Sequence, residues 1–353
     1  MRAIPKDFAP GRILVVQLRQ IGDVLLTTPA LRALKKRFPG ARISYLAEPL
    51  PAKVLEGNPN IDEVIVRNPR EGGLEPLKTI RRARAGRFDL VVDFLANPRT
   101  ALIAWLSGAK VTISYAGNRR SIFYTHAVAA EGVFSGEQKL SLLRVLGAGP
   151  ESMELDMAVP ERAKQRIAAW WDEKGLAGTA RPVVCLEPFQ KWEALTYPAK
   201  SFVKVCELMR RKWGATVIVC WGPGREEDAK NIVESARPDL VLAPPTDLFE
   251  LAALYRRADL WVGVDGGPRH IAAAQGLPTF AVLGPSDDAW TPPGPRHISV
   301  YRRDLACRPC NKRSCKSRIE CMTEFKPEEV FERLEQFWER VRPVKNPTTD
   351  EHG

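Results

Sequence analysis

The residues with the clearest chemical potential are an acid, two glycines and a histidine that follow one apolar segment. Asp265, Gly266, Gly267 and His270 come after the apolar run 260–264. The run predicts a buried strand, and the small residues after His270 predict a helix. Glycines let the backbone approach a ligand closely, and the first turn of a helix offers unpaired N–H groups to an anion. The pattern therefore predicts an anion site, but it also fits an ordinary strand–helix turn with an Asp cap and a surface histidine.

The charge of the chain is consistent with an anionic ligand. Its 353 residues include 53 Lys and Arg against 42 Asp and Glu, a formal net charge of +11. A basic protein favours nucleotides, phosphorylated sugars, nucleic acids or anionic membranes as partners. One basic stretch, residues 78–87, is spaced with Leu74 and Leu77 as an amphipathic helix, which fits either a membrane surface or a solvated helix face.

The sequence predicts neither a secretion signal nor a membrane span. Residues 1–11 lack the apolar core of a signal peptide, and no segment reaches the roughly 18 apolar residues of a span. We therefore expect a cytoplasmic protein.

Four of the seven cysteines cluster near the C-terminus. Cys307, Cys310, Cys315 and Cys321 have the spacing C-x2-C-x4-C-x5-C. Four thiolates at such a spacing could hold a structural zinc ion, or they could be redox-sensitive or simply packed. The other three cysteines lie singly in apolar runs and are expected to be buried small hydrophobes.

Strands and helices alternate along the chain, and the pattern starts twice. The apolar runs that predict strands are 12–18, 43–46, 64–66, 90–94 and 111–114 in the first half, and 183–186, 216–221, 260–264 and 279–283 in the second. Such alternation predicts an α/β protein with two doubly wound parallel sheets. We predict one domain over residues 1–178, a second over 179–345 and a tail over 346–353.

Polar residues follow the predicted strands in both halves. They lie at 17–23, 222–226 and 265–270. Because ligands bind beyond the carboxyl ends of parallel strands, a cleft between the two domains is the expected site.

Four segments resemble glycosyltransferase family 9, the ADP-heptose:lipopolysaccharide heptosyltransferases. They are 13–31, with Ile-Gly-Asp at 21–23, then 221–227, 248–270 and the cysteine segment 307–322. They follow the order of the family and span nearly the whole chain. The resemblance implies the GT-B fold, with two Rossmann-like domains, the donor bound mainly by the second, and a C-terminal helix that packs back across the first.

The resemblance also implies roles for single residues. Asp23 matches the catalytic base of the family, although an Asp at a helix start can also be an N-cap. Glu226 matches the acid that binds the ribose of the donor. The turn from Asp265 to His270 matches the site of the donor diphosphate.

This chain departs from the family pattern at two places. Leu195 stands where the family has a phosphate-binding lysine, and Tyr197 stands for a tryptophan. The usual Asp-Ser/Thr-Gly becomes 265–267, Asp-Gly-Gly, and Arg269 replaces an apolar residue before the histidine. Lys191 or Arg269 could supply the missing positive charge.

On the acceptor side, polar residues follow the strand predicted at 90–94. The candidates to meet an anionic core oligosaccharide are Asp93, Asn97, Arg99 and Arg120. A basic face here would also suit peripheral contact with the cytoplasmic face of the inner membrane.

The sequence thus predicts an inverting glycosyltransferase that moves heptose or a related sugar from a nucleotide sugar, with ADP-heptose expected, to the lipopolysaccharide core. We expect no cofactor for catalysis and no nucleic-acid partner. The alternative is a non-catalytic module that binds a nucleotide sugar or nucleic acid and carries a cysteine-rich basic loop. A dehydrogenase is disfavoured, because no G-x-G-x-x-G opening is present.

Overall fold

The computed structural model describes residues 4–5, 7–70, 72–149, 152–236, 240–316 and 318–343. Two parallel sheets, each with six strands in this part of the chain, form its framework. The predicted tail, residues 346–353, lies outside the described residues.

The first sheet and its helices occupy the N-terminal half. Its strands are β1 (Arg12–Val16), β2 (Arg42–Ala47), β3 (Glu63–Val66), β4 (Leu90–Asp93), β5 (Val111–Tyr115) and β6 (His126–Val128). Its helices are α1 (Ile21–Leu25), α2 (Thr28–Arg37), α3 (Pro49–Ala52), α4 (Glu75–Ala85), α5 (Pro98–Leu106) and α6 (Ser135–Ser141). Short 3-10 helices span Lys53–Leu55, Arg119–Phe123 and Leu142–Leu146.

The second sheet and its helices occupy the C-terminal half. Its strands are β7 (Val183–Glu187), β8 (Thr216–Val219), β9 (Leu240–Leu242), β10 (Leu260–Val264), β11 (Thr279–Val282) and β12 (His297–Val300). The helices are α7 (Glu161–Glu173), α8 (Ala199–Trp213), α9 (Glu226–Ser235), α10 (Leu248–Tyr255), α11 (Gly267–Ala274), α12 (Glu320–Thr323) and α13 (Pro327–Val341). Further 3-10 helices span Glu193–Leu195 and Asp288–Trp290.

Both sheets have the same strand order, so the predicted pair of doubly wound units is confirmed. The first is β3-β2-β1-β4-β5-β6 and the second is β12-β11-β10-β7-β8-β9. In each, the first and fourth strands are neighbours, and the winding reverses between them. Loops at the carboxyl ends of such a pair diverge and leave a crevice for a ligand.

The central strands are apolar throughout because helices cover both faces of each sheet. Every residue of β10 is buried, as are all residues of β1 except Arg12. Cys185, Cys206 and Cys220 are buried too, in agreement with their expected packing role.

The spacing of apolar residues over 24–38 predicts one helix, but the structure has two. α1 ends at Leu25 and α2 begins at Thr28, because Pro29 cannot continue the hydrogen-bonding pattern of the first helix. The hydroxyl groups of Thr27 and Thr28 donate to the carbonyl oxygens of Val24 and Leu25 at 2.7 and 2.8 Å. Asp23 is thereby held in a helix of five residues.

Two other helices pack differently from expectation. α7, predicted in the first domain, packs against α10, and Arg257 lies 5.3 Å from the ring of its Trp171. The domain boundary between residues 178 and 179 stays a prediction. α13, expected to cross back to the first domain, packs against α8 instead, with the Trp213 and Trp338 rings 5.5 Å apart. In both cases the partner of an aromatic side chain is distant in sequence, so no local pattern predicts it.

None of the described helices has the length and apolarity needed to cross a bilayer.

Candidate active site

The candidate site lies where the helices after β1 and β10 meet. α1 and α11 pack against each other across the cleft between the two sheets. A Cβ atom on Gly22 would lie only 2.6 Å from Cδ2 of His270. A Cβ atom on Gly267 would lie 3.5 Å from Cβ of Ile21, which is an ordinary contact. A glycine at position 22 therefore allows α1 to approach the imidazole of α11.

Asp23 is the acid at this junction. It is the third residue of α1, and Gln20 is the N-cap, so the N-cap alternative does not describe it. Burial raises the pKa of Asp23, and the charges of Lys139, Arg19 and Arg313 oppose that rise. Three nearby cations favour the ionised carboxylate, which is the form that can accept a proton.

Lys139 is a site residue that sequence reasoning missed. It lies on α6, its side chain is 3% exposed, and Nζ donates to Oγ of Ser135 at 2.6 Å. Burial lowers the pKa of Lys139 to about 8, against the opposing effect of Asp23. A lysine in a short polar helix has the pattern of a surface residue, and only the packing of α6 against α2 buries it.

The helix predicted after β10 is present, but it begins three residues earlier than the sequence indicated. Gly266 is the N-cap of α11 and Gly267 is its first residue. The carbonyl oxygen of Asp265 accepts a hydrogen bond from the side-chain amide of Gln190. In the first turn of α11, Pro268 has no N–H and the N–H of Arg269 donates to the carbonyl oxygen of Gly266 at 3.2 Å. The N–H groups of Gly266 and Gly267 have no acceptor among the described residues, so they can serve an anion.

The carboxylate of Asp265 faces inward. Its Oδ1 lies 3.5 Å from Nη1 of Arg269 and receives no hydrogen bond from the described residues. Burial raises the pKa of Asp265, and the charge of Arg269 opposes this effect.

Arg269 does not reach the cleft. The side chain is 0% exposed, and its guanidinium donates to Oγ1 of Thr279 (3.4 Å), Oγ1 of Thr291 (3.4 Å) and the carbonyl oxygen of Ile298 (3.2 Å). The suggestion that Arg269 supplies the missing phosphate ligand is therefore not supported. Its charge balances Asp265 from inside the domain, because strands β11 and β12 enclose the guanidinium.

His270 is buried and neutral. Burial lowers its pKa to about 3, and the charges of Arg269 and Lys139 add to this effect. No described residue bonds Nδ1. A neutral imidazole can donate one N–H and accept at the other nitrogen.

Two cations lie near the indole ring of Trp192, which is on the loop after β7. Lys191 belongs to the same loop, and Arg313 belongs to the cysteine-rich segment. Nζ of Lys191 lies 5.1 Å from the centre of the Trp192 ring, and Cζ of Arg313 lies 4.9 Å from it. Leu195, at the position of the family lysine, ends the 3-10 helix that follows. Arg313 was not singled out from the sequence, where it is one of many basic residues between 302 and 318.

Glu226 begins α9 at the carboxyl edge of the second sheet. Its carboxylate forms an ion pair with Lys230 at 3.1 Å, and both side chains are exposed. A role in ribose binding would draw on this accessible carboxylate.

Asp93 lies at the end of β4 but is fully buried. Its carboxylate accepts hydrogen bonds from the N–H groups of Leu95 (2.8 Å) and Ala96 (3.1 Å) and from the hydroxyl of Tyr124 (2.6 Å). Burial raises its pKa in spite of these bonds. The predicted direct contact of Asp93 with an acceptor is therefore not supported; the residue shapes the loop at the cleft edge.

The other three acceptor-side residues stand around this loop. Asn97 caps α5 by accepting from the N–H of Thr100 at 2.8 Å. Nε of Arg120 donates to the carbonyl oxygen of Ala96 at 2.5 Å. Arg99 is exposed in the first turn of α5. Arg99 and Arg120 thus carry positive charge beside the cleft.

The clustered cysteines lie between β12 and α13. Cys307 and Cys315 are exposed, Cys310 is partly exposed and Cys321 is buried. Burial raises the pKa of Cys321, and the charges of the other three thiols contribute. In the described ranges, no three His, Cys, Asp or Glu side chains converge as metal ligands. This geometry does not confirm the expected zinc site.

Comparisons with known proteins identify the family of the chain. The sequence model of glycosyltransferase family 9 (heptosyltransferase) matches residues 77–319. Lipopolysaccharide heptosyltransferase 3 of Escherichia coli is 29% identical over 302 residues, which cover 81% of this chain and 88% of that protein. The non-catalytic alternative is not favoured by these matches.

Solved structures of similar proteins share the architecture. A glycosyl transferase family 9 protein from Veillonella parvula matches with a TM-score of 0.81 and 25% identity, covering 96% of this chain and 99% of that one. The ADP-heptose lps heptosyltransferase II of E. coli matches with a TM-score of 0.70 and 19% identity, covering 93% and 99%. The predicted GT-B fold is thereby confirmed.

The family model covers more than half of the chain, and the paired sheets, the Asp23 helix and the Asp265–His270 turn are in place. The protein therefore belongs to glycosyltransferase family 9, the heptosyltransferase family, and is a glycosyltransferase.

Proposed function

We propose that this enzyme transfers heptose, or a related sugar, from a nucleotide-sugar donor to the lipopolysaccharide core with inversion at the anomeric carbon. ADP-heptose is the donor we expect. One observation carries the proposal: Asp23 on α1 and the anion-binding turn of α11 lie on opposite sides of one narrow contact between the domains. The similarity to lipopolysaccharide heptosyltransferase 3 supports the choice of substrates.

The proposed chemistry needs a base on one side of the sugar and an anion site on the other. Asp23 accepts the proton of the acceptor hydroxyl as the oxygen forms a bond to the anomeric carbon. The bond from that carbon to the diphosphate oxygen breaks, and the diphosphate leaves with the electron pair. N–H groups at the start of α11 and the imidazole of His270 stabilise the negative charge that develops. These groups provide both functions, so the reaction as proposed uses no catalytic cofactor.

The remaining residues bind the two substrates. Glu226 binds the ribose of the donor, while Gly266 and Gly267 let the backbone of α11 approach the diphosphate. Arg99 and Arg120 bind anionic groups of the acceptor. The neighbouring Asp93 and Asn97 act indirectly, because their hydrogen bonds shape the loop and the start of α5.

The role of Asp23 is tested by the Asp23→Asn variant with ADP-heptose and a core acceptor. We expect kcat to fall by about 100- to 10,000-fold, since this is the range that a general base contributes. Binding of ADP and the melting temperature should stay close to the wild-type values. Asp172→Asn, an exposed change on α7, is the matched control. Unchanged turnover of Asp23→Asn would exclude Asp23 as the base.

A structural zinc ion held by the four clustered cysteines remains a proposal. It is supported by their spacing and by the effect of the other three thiols, which raise the pKa of Cys321. Binding would require the segment to bring Cys307, Cys310 and Cys315 closer to Cys321, because the described arrangement does not join them as ligands. Elemental analysis of the purified protein tests this: one zinc per chain is expected, and a content near zero would exclude the site.

Peripheral contact with the cytoplasmic face of the inner membrane also belongs to the proposal. α4 turns inward its Glu75, which pairs with the buried Arg67 at 2.5 Å, and leaves Leu77 58% exposed. Next to it, α5 exposes Trp105, 58%, and the 3-10 helix Arg119–Phe123 exposes Ile122, 80%.

These exposed residues form one surface, which we call the apolar–basic face. α5 contacts both α4 and the 3-10 helix, and the Trp105 ring lies 5.8 Å from that of Phe123. Exposed arginines accompany the apolar side chains on all three elements: Arg81 and Arg84 on α4, Arg99 on α5 and Arg119 on the 3-10 helix. Apolar side chains among cations suit a bilayer with anionic lipids, and the location is cytoplasmic in this proposal.

A further inference from the structure

We propose that Arg313, carried by the cysteine-rich segment, binds the donor diphosphate together with Lys191. The two cations would thus replace the phosphate-binding lysine of the family, in whose place this chain has Leu195. The inference rests on the proposed function, because it names ligands for the nucleotide-sugar donor of that reaction. It also gives the cysteine-rich segment a role at the site.

Trp192 lies on the loop after β7. β7 and β10 are the two neighbouring strands between which the winding of the second sheet reverses. Lys191 and Arg313 both lie about 5 Å from its ring, so their charges are within about 10 Å of each other. Such distances allow cation–π attraction. The indole ring therefore holds two cations from distant parts of the sequence at the edge where ligands bind.

Lys191 and Arg313 have no paired carboxylate in the part of the chain that the structure describes. Among the ion pairs of the described residues, none joins a carboxylate to Lys191 or Arg313, and both side chains are exposed. Two like charges at this separation repel each other, and a bound anion between them would relieve the repulsion. A diphosphate, with its negative charge spread over two phosphate groups, fits this arrangement.

The cysteine-rich segment is anchored so that Arg313 stays at the cleft. Nη2 of Arg308 donates to the carbonyl oxygen of Ser286 at 2.5 Å, and the N–H of Asn311 donates to that of Pro285 at 2.9 Å. Residues 284–288 follow β11 at the carboxyl edge of the second sheet. Arg313, two residues after Asn311, therefore extends from a fixed point of the donor domain.

The other cations near this edge are less suited to the role. Arg269 is enclosed by Thr279, Thr291 and Ile298. Arg225 is paired with Asp228 at 2.7 Å. Arg313, in contrast, lies close enough to Asp23 to influence its carboxyl group, so its charge is also near the proposed reaction centre.

Equilibrium binding of ADP and of AMP to the full chain tests the proposal without any need for turnover. The variants are Arg313→Ala, Lys191→Ala and the double variant. Lys312→Ala, which removes the same charge from the neighbouring exposed position, is the matched control. We expect Arg313→Ala to raise the Kd for ADP about tenfold, which is what the loss of one charge-assisted contact amounts to. The Kd for AMP should change much less, because AMP lacks the second phosphate.

The outcomes separate this inference from the proposed function. If the wild-type protein binds ADP and Arg313→Ala binds it as tightly as Lys312→Ala does, Arg313 is not a ligand, and the proposed function is unaffected. An equal loss for ADP and AMP would also overturn the inference, since it would point to general electrostatic attraction. If the wild-type protein binds no ADP, the expected donor itself is wrong. Circular dichroism of each variant confirms that binding is measured on folded protein.

Discussion

Asp23 combines two opposing influences at the scale of single residues. Burial between the domains favours the protonated carboxyl, while Lys139, Arg19 and Arg313 favour the carboxylate. A desolvated carboxylate is reactive towards a hydroxyl proton, because less water must be displaced. The cations around Asp23 are therefore part of how it works in the proposed reaction.

Removal of the buried cation should change the pH dependence of the reaction. Lys139→Met removes the cation that most strongly opposes the rise in the pKa of Asp23, so this pKa should rise further. The fall of kcat/KM on the acid side of the pH profile, called the acid limb, should therefore move to higher pH. Lys139→Arg keeps the charge and should keep the limb in place. A purely structural role would lower the melting temperature of Lys139→Met and leave the position of the limb unchanged. Steady-state rates from about pH 4, near the ordinary pKa of an aspartic acid, to about pH 9, above the lowered pKa of Lys139, distinguish the two cases.

Glu187 is a further buried acid, at the end of β7 and before the loop that carries Lys191. Its Oε2 accepts from the hydroxyl of Tyr255 at 3.0 Å, and burial raises its pKa from 4.5 to about 7. Between these values the folded protein keeps a proton that the unfolded chain has lost, so rising pH reduces stability. The contribution lost is at most about 3 kcal/mol at 1.36 kcal/mol per pKa unit.

The matching experiment is denaturant unfolding at pH 5 and pH 7.5. Because buried histidines act in the opposite direction, the informative quantity is the difference between the wild-type protein and Glu187→Gln. The change in unfolding free energy from pH 5 to pH 7.5 should be more favourable to the folded state in Glu187→Gln than in the wild-type protein. Glu56→Gln, an exposed change, should behave as the wild type does. An equal change in all three proteins would show that Glu187 does not contribute to the pH dependence of stability.

At the scale of elements, α4 shows how one ion pair can decide which side of a helix is exposed. The pair between Glu75 and the buried Arg67 turns a polar side inward and leaves leucines outside. In water this orientation exposes apolar surface that the helix could otherwise bury, so it makes physical sense when another apolar surface covers it. The apolar–basic face is consistent with a lipid-linked acceptor that stays in the bilayer.

Vesicle sedimentation tests this face. Wild-type protein should bind vesicles with anionic phosphatidylglycerol and bind phosphatidylcholine vesicles weakly. The double variant Trp105→Gln, Ile122→Gln should partition at least about tenfold less, since burial of each large apolar side chain contributes about 1.5 to 3 kcal/mol. Val133→Gln, at an exposed position before α6, is the matched control. Equal binding of the wild-type protein and the double variant would exclude the face as the contact.

At the scale of the whole molecule, the two sheets contribute to one site only when α1 and α11 touch. The contact depends on the absence of a side chain at residue 22, where a Cβ would lie 2.6 Å from His270. Alanine favours a helix over glycine, so Gly22→Ala should not harm α1 itself. Its effect would come from keeping the domains apart.

We therefore expect Gly22→Ala to lower kcat by at least about tenfold, because a displacement of about 1 Å at a reacting centre can cost about 100-fold. Its melting temperature should change little. Gly40→Ala, where a Cβ would meet nothing within 4 Å, is the control. Small-angle X-ray scattering with ADP should show a wider average separation of the domains in Gly22→Ala. Wild-type kcat in this variant would mean that the close contact is not required.

Much of the architecture could be predicted from the sequence, because each buried strand of a parallel sheet is a short, continuous apolar run. The runs at 12–18 and 260–264 contain β1 and β10, and the acid and glycines at 265–267 mark the start of α11. The short strands β6, β9 and β12 were not predicted. β6 and β12 begin with a histidine and have only short apolar runs, and the apolar run of β9 is only three residues long. The sequence also identified Asp23, His270 and the turn between β10 and α11 as candidate site residues, because their motifs are close to those of the family.

The sequence by itself determined the fold, the family and the positions of the proposed base and the proposed anion-binding turn, because these depend on residue type and short-range spacing. Only the tertiary structure decided how charge is distributed around them. It buried Lys139 near Asp23, enclosed Arg269 behind β11, and placed Arg313 beside Lys191 on Trp192. The physical reason is that the field at a site sums over charges from distant parts of the chain. The sequence does not show whether a given lysine or arginine is buried by packing or exposed at the cleft.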